Sequence, residues 1–360
     1  MTSTVAVVKT SPETLHDDVR RVMEAANYKK YLPPEQEIAI KLNLSWSKFY
    51  PACSTAPYIF DYLLDTLINH GGISNKKITA VENETVVTNI YQGIRKNRWL
   101  PVMKKHKIKF VPLVQDEWVH VKLPRKTLVL EDIFHEVIAP KSVIGKNIIH
   151  LPTIKTHGHS GMTGALKNSF GLFLTKNRHL AHLKIHEVLV DLLMLQKEVA
   201  PNTFILTDGT ILGDGPGPRT MVPHIGNILL ASNDPVAIDT VQTLVMGLPL
   251  KAIKKLQIAS EYGLGESNPD KIKITGDFSS IDELPNFHLN PAQSPVIHYN
   301  RVFLDSPLEY LLFRTIFFQF PRAASGIYHD WFWLPLFGKK YVKWYFNTPY
   351  GKLFNQYSEV

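Results

Sequence analysis

The stretch EIAIKLNL (37–44), with PYIFDYLLDTLINHGG (57–72) and KKITAVEN (76–83) behind it, decides the fold. The first and last runs are short and rich in β-branched residues, so each reads as a strand. The middle run is longer and amphipathic, opens on proline and closes on two glycines, so it reads as a helix. The alternation spreads outward in both directions. Upstream, TVAVVK (4–9) reads as a strand and SPETLHDDVRRVMEAA (11–26) as a capped helix. Downstream, KIKFVPLV, HEVIAP and KNIIHLP read as strands, IHEVLVDLLMLQKEV (185–199) as a helix, TFILTDG (203–209) and NILLAS (227–232) as strands, and DPVAIDTVQTLVMGL (234–248) as a helix. Such alternation predicts an α/β fold with an open, mixed, largely parallel sheet flanked by helices.

The pattern loosens through ELPNFHLNPAQSP, so residues 1–300 are read as one α/β domain and 301–360 as an aromatic-rich helical extension packing on it or covering it. Residues 303–360 hold 18 of the chain's 38 aromatic residues, which sets this part apart from the rest. Aromatics interleaved with Arg314, Arg322, Lys339, Lys340 and Lys343 suit a core layer, a cover over a ligand, or a peripheral contact with a membrane surface.

Of 360 residues, 44% are hydrophobic and 20% charged, the profile of a folded chain rather than a disordered one. The formal charge of +8 favours anionic partners. Basic residues are dispersed and no reading-helix or zinc-finger spacing occurs, so no nucleic-acid partner is expected. The single cysteine, Cys53, excludes an intrachain disulfide and an iron–sulfur cluster held by several thiolates, and it fits a reducing, cytoplasmic setting. No secretory signal is read at the N-terminus, and no uncharged apolar run reaches the ~18 to 20 residues that span a bilayer.

Chemistry concentrates in LPTIKTHGHSGMTGALKNSFGLF (151–173), which places two lysines, two histidines, three threonines and four glycines in one run. Lys155 and Lys167 supply charge; Thr156, Ser160, Thr163 and Asn168 supply hydrogen bonds. Gly158, Gly161 and Gly164 allow backbone amides to turn toward an anion, and a helix beginning near Thr163 would add its N-terminal partial charge. The GxxxxGK[ST] phosphate loop is absent. His157 and His159 lie two apart on one side of an extended segment, each able to move a proton. RHLAHLKIHEVLVD spaces His179, His182 and His186 so that the last two share a helix face able to chelate a metal. In TDGTILGDGPGPR, Asp208 ends a strand and Asp214 sits in a tight turn, a donor set suited to Mg²⁺, with Arg219 just beyond. In SNDPVAIDT, Ser232 or Asn233 can cap a helix whose first turn holds Pro235, so Asp234 and Asp239 read as structural, with Asp239 one turn in and able to face the site. Lys41, Asn43, Glu82 and Asn83 close strands, where ligands of open α/β sheets collect. Asp61 and Asp65 read as a solvated helix face.

IKLNLS, a helix ending in HGG, AVEN, LPTIKTHGHSGMTGALKNSFGLF, ILTDGTILGDGPGPR, ASNDPVAIDTVQTLVMG and YGLGE together resemble, in this order, the domain of unknown function 362 family. The resemblance runs from residue 37 to about 266 and implies an α/β fold with the site at these motifs. It leaves the reaction open. Some members carry ferredoxin-like iron–sulfur modules, from which a chain with one cysteine departs.

Three functions follow as expectations. In the first, an enzyme of lyase or transferase type acts on an anionic small molecule bearing phosphate or diphosphate, a prenyl diphosphate being one that would also explain the aromatic tail. Lys155, His157 and His159 are its catalytic candidates, Lys41, Asn43, Thr163, Lys167, Asn168 and Arg219 its substrate-binding ones, and Asp208, Asp214 and Glu82 its Mg²⁺ ligands. In the second, His179, His182 and His186 hold a redox metal. In the third, the basic aromatic tail makes the chain a binding module at a membrane surface. The number of copies in the working assembly is not set by any motif.

Overall fold

A computed structural model describes residues 3–175 and 178–358. Among these, the strands are β1 (Ser3–Lys9), β2 (Ile38–Lys41), β3 (Ile78–Glu82), β4 (Lys109–Pro112), β5 (Trp118–His120), β6 (Ile138–Pro140), β7 (Asn147–His150), β8 (Thr153–His157), β9 (Gly161–Met162), β10 (Thr203–Asp214), β11 (Val222–Ser232) and β12 (Ile272–Gly276). The main sheet runs β12-β1-β11-β10-β7-β2-β3-β4, with β8 branching from β10 and carrying β9. Along that path only β11 runs against its neighbours. The mixed, largely parallel sheet read from the sequence is therefore the sheet observed. β5 and β6 form a separate small hairpin.

Both faces of the sheet are covered, as a parallel sheet requires. Ile38, Ile40 and Ala80 face a core completed by helices 15–25, 57–65 and 99–106, while their neighbours Ala39 and Val81 face a second core beneath helices 165–173 and 185–199. Successive side chains alternate sides, so a run such as IAIK is apolar throughout.

The parallel register brings strand ends to one level. Lys41, the last residue of β2, lies opposite His150 at the end of β7, and Ile40 lies opposite Ala80, two residues before Glu82 ends β3. β8 leaves β10 through a register shift between Asp208 and Gly213, which lifts Lys155 and His157 away from the sheet and over these ends.

The tail divides in two. Helices 339–347 and 349–355 send Tyr345, Tyr350, Leu353 and Phe354 into the main core, against Tyr58, Ile59 and Trp99. Asp61, expected on a solvated face, is instead buried. It takes hydrogen bonds from Lys105 and His106, and from Tyr357 of the tail at 2.8 Å. Residues 295–338 behave differently: they lie across the C-terminal strand ends as short helices with much of their apolar surface exposed.

Candidate functional site

A cavity of about 240 Å³ opens at the C-terminal strand ends, under helix 295–304 and the segment around Ser325 and His329. Its floor is an ion pair. Lys41 Nζ lies 2.6 Å from Glu82 Oε1 and also donates to the Leu42 carbonyl, with both charged side chains buried. Burial pushes the Lys41 ammonium down and the Glu82 carboxyl up, and each charge holds the other back. Glu82 Oε1 also accepts from the Asn83 amide, whereas Oε2 is buried without a hydrogen-bond partner among the described residues. Gly171 of helix 165–173 passes directly over this pair; a Cβ there would stand 3.1 Å from Lys41 Nζ.

Around the floor stand cations with no carboxylate of their own. Lys155 Nζ donates to Asn43 Oδ1 at 2.7 Å and to Thr153 Oγ1, and burial brings its ammonium down to about 8. Lys167 Nζ sits 3.7 Å above the Phe170 ring and has no hydrogen bond or ion pair among the described residues; burial holds its ammonium well below the ordinary lysine range. Arg178 is buried against the same ring, 5.7 Å from its centroid, and is pulled down to about 10. Across the cavity Arg219 spends one N–H on the Ser45 carbonyl. Among the described residues lining the cavity, Glu82 is the one carboxylate against Lys41, Lys155, Lys167, Arg178 and Arg219. Leu44, Val86, Val87, Val296 and Ile297 complete the wall with apolar surface.

Burial favours the neutral form of the site's histidines. His157 Nδ1 accepts from the amides of His159 and Ser160, which puts the ring proton on Nε2, and burial holds the ring far below its usual pKa. His159 is brought down to about 4, again by burial first. His182 Nδ1 donates to the His179 carbonyl, and its ring lies 4.5 Å from that of His159. His150, unremarked in the sequence, is fully buried behind the site; its Nε2 meets Gln196 Oε1 at 2.9 Å and its Nδ1 takes a bond from the Asn168 amide. Asn168 also donates to the Lys41 carbonyl, so its amide nitrogen is spent on His150 and Lys41.

The structure thus gathers Lys41, Asn43, Glu82, Lys155, His157, His159, Thr163, Lys167, Asn168 and Arg219 around one cavity. Thr163 is the least available of them, because its hydroxyl is given to the Thr153 carbonyl at 2.8 Å. Two expected ligands lie elsewhere. Asp208 is buried beside Tyr58 and Tyr345, accepting from the Thr210 amide and hydroxyl, and Asp214 accepts from the Asn290 amide at the far end of β10. Five residues of strand lie between them, so they stand roughly 20 Å apart and share no metal with each other.

Two further readings are corrected. The helix begins at Ala165, near Thr163 as expected, but its first amides are already taken: Ala165 and Leu166 donate to the buried Asp239 carboxylate at 2.6 and 3.2 Å. Asp239 in turn faces Lys255 at 3.6 Å. The helix's first amides, and the Gly158 amide given to the Gly217 carbonyl, are therefore not free for an anion. Gly164 has φ +130°, and a Cβ on it would fall 2.3 Å from Asp239 Oδ1. The histidine set also splits, because 178–184 is a 3₁₀ segment and the α-helix begins at Ile185, which breaks the shared face of His182 and His186. His179 and His182 border the main cavity, whereas His186 accepts from the Lys255 amide in a neighbouring one with His182 and His159. Arg178 was missed because its signal, the lone arginine that opens RHLAHL, has no periodicity to mark it as inward.

The motifs that build this cavity have a counterpart among known proteins. The sequence model of the domain of unknown function DUF362 matches residues 38–243, more than half of the chain. The chain belongs to the DUF362 family. This DUF362 chain is 30% identical over 175 residues to the thylakoid-associated protein sll1697 of Synechocystis, an overlap of 46% of this chain and 52% of that one, so it spans about half the length of the curated relative it matches. Among solved structures, the apoprotein of lactate racemase from Thermoanaerobacterium thermosaccharolyticum superposes with a TM-score of 0.43 at 13% identity, over 68% of this chain and 57% of that one. A protein from Thermotoga maritima gives 0.39 at 11%, over 70% and 59%. Among the described residues of the DUF362 chain, no helix is long and apolar enough to cross a membrane.

Proposed function

We propose that the cavity binds an anionic small molecule carrying a phosphate or diphosphate beside an apolar part, and that the chain is an enzyme acting on it. The observation that carries this reading is the charge of the wall: five cationic side chains face the cavity with one carboxylate among the described residues. A buried excess of like charge is unfavourable when unanswered, and a ligand anion answers it. At an effective dielectric of 20, each charge pair formed at 4 Å is worth about 4 kcal/mol before desolvation. Leu44, Val86, Val87 and Ile297 supply the surface for the apolar part. A prenyl diphosphate has both halves.

Lys155 is the proton-moving group in this reading. An ammonium brought down to about 8 and aimed by Asn43 and Thr153 is matched to acid–base work near neutrality. His157, with its proton on Nε2, donates a hydrogen bond rather than accepting a proton. Lyase and transferase chemistry on a diphosphate both need such a donor at the leaving oxygen. Mg²⁺ enters as the escort of the ligand's own phosphates, since among the described residues the wall offers it one carboxylate, Glu82.

The test is a thermal-shift titration with pyrophosphate, with and without Mg²⁺. Ligand bound only by the folded chain raises the melting temperature with the logarithm of its concentration over Kd. A saturable rise supports the reading, and dependence on Mg²⁺ identifies the escort. An unchanged melting temperature with pyrophosphate in both conditions would falsify it.

A further inference from the structure

Fourteen of the nineteen large apolar side chains that are exposed among the described residues lie between 299 and 337. Ile316 and Trp331 are each 81% exposed, Phe320 is 68% and Leu336 63%. The rest of the molecule buries its apolar residues well, so this surface is not the scattered exposure that every protein has. It is also not a loose tail. His179 Nε2 donates to the Phe313 carbonyl and its ring stacks on Phe318 with centroids 3.8 Å apart; Trp46 Nε1 donates to Asp330 at 2.8 Å, and Trp333 packs on Tyr50. The chain holds this segment in place with its apolar side chains outward.

The charges on the segment choose the occupant. Between 301 and 343 there are six basic residues and three acidic ones. Glu309 is already paired with Arg314, and Asp330 with Trp46 and Lys48. Arg322, Lys339, Lys340 and Lys343 remain on the exposed rim, with Lys340 laid over the Tyr341 ring. Two copies meeting through this face would oppose basic rims. An anionic lipid surface instead takes the aromatics into its headgroup layer and the lysines and arginines onto its phosphates. With no helix among the described residues long and apolar enough to span, the contact is adsorption to one leaflet.

We infer that residues 308–343 form a docking face for an anionic membrane surface, with Ile316, Phe320, Trp331 and Leu336 entering the headgroup layer. The face is the outer side of the segment whose inner side, through Ser325 and His329, closes the cavity. The inference does not depend on what the cavity binds.

The experiment is sedimentation of the full chain with vesicles of phosphatidylcholine alone and of phosphatidylcholine mixed with phosphatidylglycerol. The chain is expected to pellet with the mixed vesicles and to release as salt rises, because the basic rim is screened. The combined variant Ile316→Ser, Phe320→Ser, Trp331→Ser, Leu336→Ser is expected to lose at least ~tenfold in vesicle affinity while keeping its melting temperature, since its side chains contribute to the lipid contact and not to the core. Lys167→Ala is expected to bind vesicles as the parent does. Failure of the parent to pellet with mixed vesicles overturns the inference, as does equal binding by the fourfold variant. Vesicle binding lost in Lys167→Ala but kept in the fourfold variant would place lipid headgroups in the cavity and also overturn it. So would a dimer in sedimentation velocity that the same four substitutions dissolve, with no vesicle binding.

Discussion

Lys167 shows at the residue scale how a cavity is charged for a ligand. Its ammonium rests on an aromatic face, with Arg178 against the same ring and no counter-charge of its own among the described residues. Lys167→Ala is expected to weaken pyrophosphate binding by about 1 to 3 kcal/mol, the value of a charge-assisted hydrogen bond, while leaving the empty protein at least as stable. Calorimetric titration alongside a melting curve reads both halves, and unchanged affinity would remove Lys167 from the site. Lys155 sets the pH dependence. An anion favours its charged form, so affinity is full below about pH 8 and declines above it, by up to tenfold per unit. Sulfate is the suitable probe because its own charge is constant between pH 6 and 10. Flat sulfate affinity across pH 8 would show that Lys155 does not face the anion.

The element whose placement matters most is the helix Ala165–Phe173, because it carries Lys167, Asn168 and Phe170. Its start is fixed by Asp239, a buried carboxylate that receives two of its amides and faces buried Lys255. Asp239→Ala is expected to cost about 3 to 5 kcal/mol in denaturant unfolding, since it orphans a buried ammonium and two N–H groups together. Adding Lys255→Met should return part of that loss, and a loss under about 1 kcal/mol for the single variant would mean the pair is dispensable. At this scale the sequence was only half legible. Apolar periodicity located the strands around 38–41 and 78–82 and the helix at 185–199, because burial of a repeating face is a local signal. It likewise located the polar strand ends Lys41 and Glu82, whereas Lys155, read as a strand end, lies within the strand Thr153–His157. What it did not carry was which acceptor meets which donor across a hundred residues. The glycines of GHSGMTG look like a phosphate nest in sequence, yet Gly164 makes room for a carboxylate seventy-five positions later. Asp208 and Asp214 look like a pair because they share a motif, and the extended strand between them keeps them apart.

Across the whole molecule, the last helices are part of the first core. Tyr345, Tyr350 and Phe354 pack with Tyr58 and Trp99, and Tyr357 reaches buried Asp61. Deleting residues 339–360 is therefore expected to abolish cooperative melting by circular dichroism, and a sharp transition in the truncated chain would refute that assignment. The stretch from 295 to 338 runs into this core at its C-terminal end and is moored along its length by His179 and Trp46. One of its moorings, His179, is also a wall of the cavity. Mooring and cavity wall thus meet at His179, and any coupling between the two sites is reciprocal by linkage. If contact with a bilayer changes the affinity for the anion by some factor, then the anion must change the affinity for the bilayer by the same factor. With such coupling, the outer surface would report whether the interior is filled.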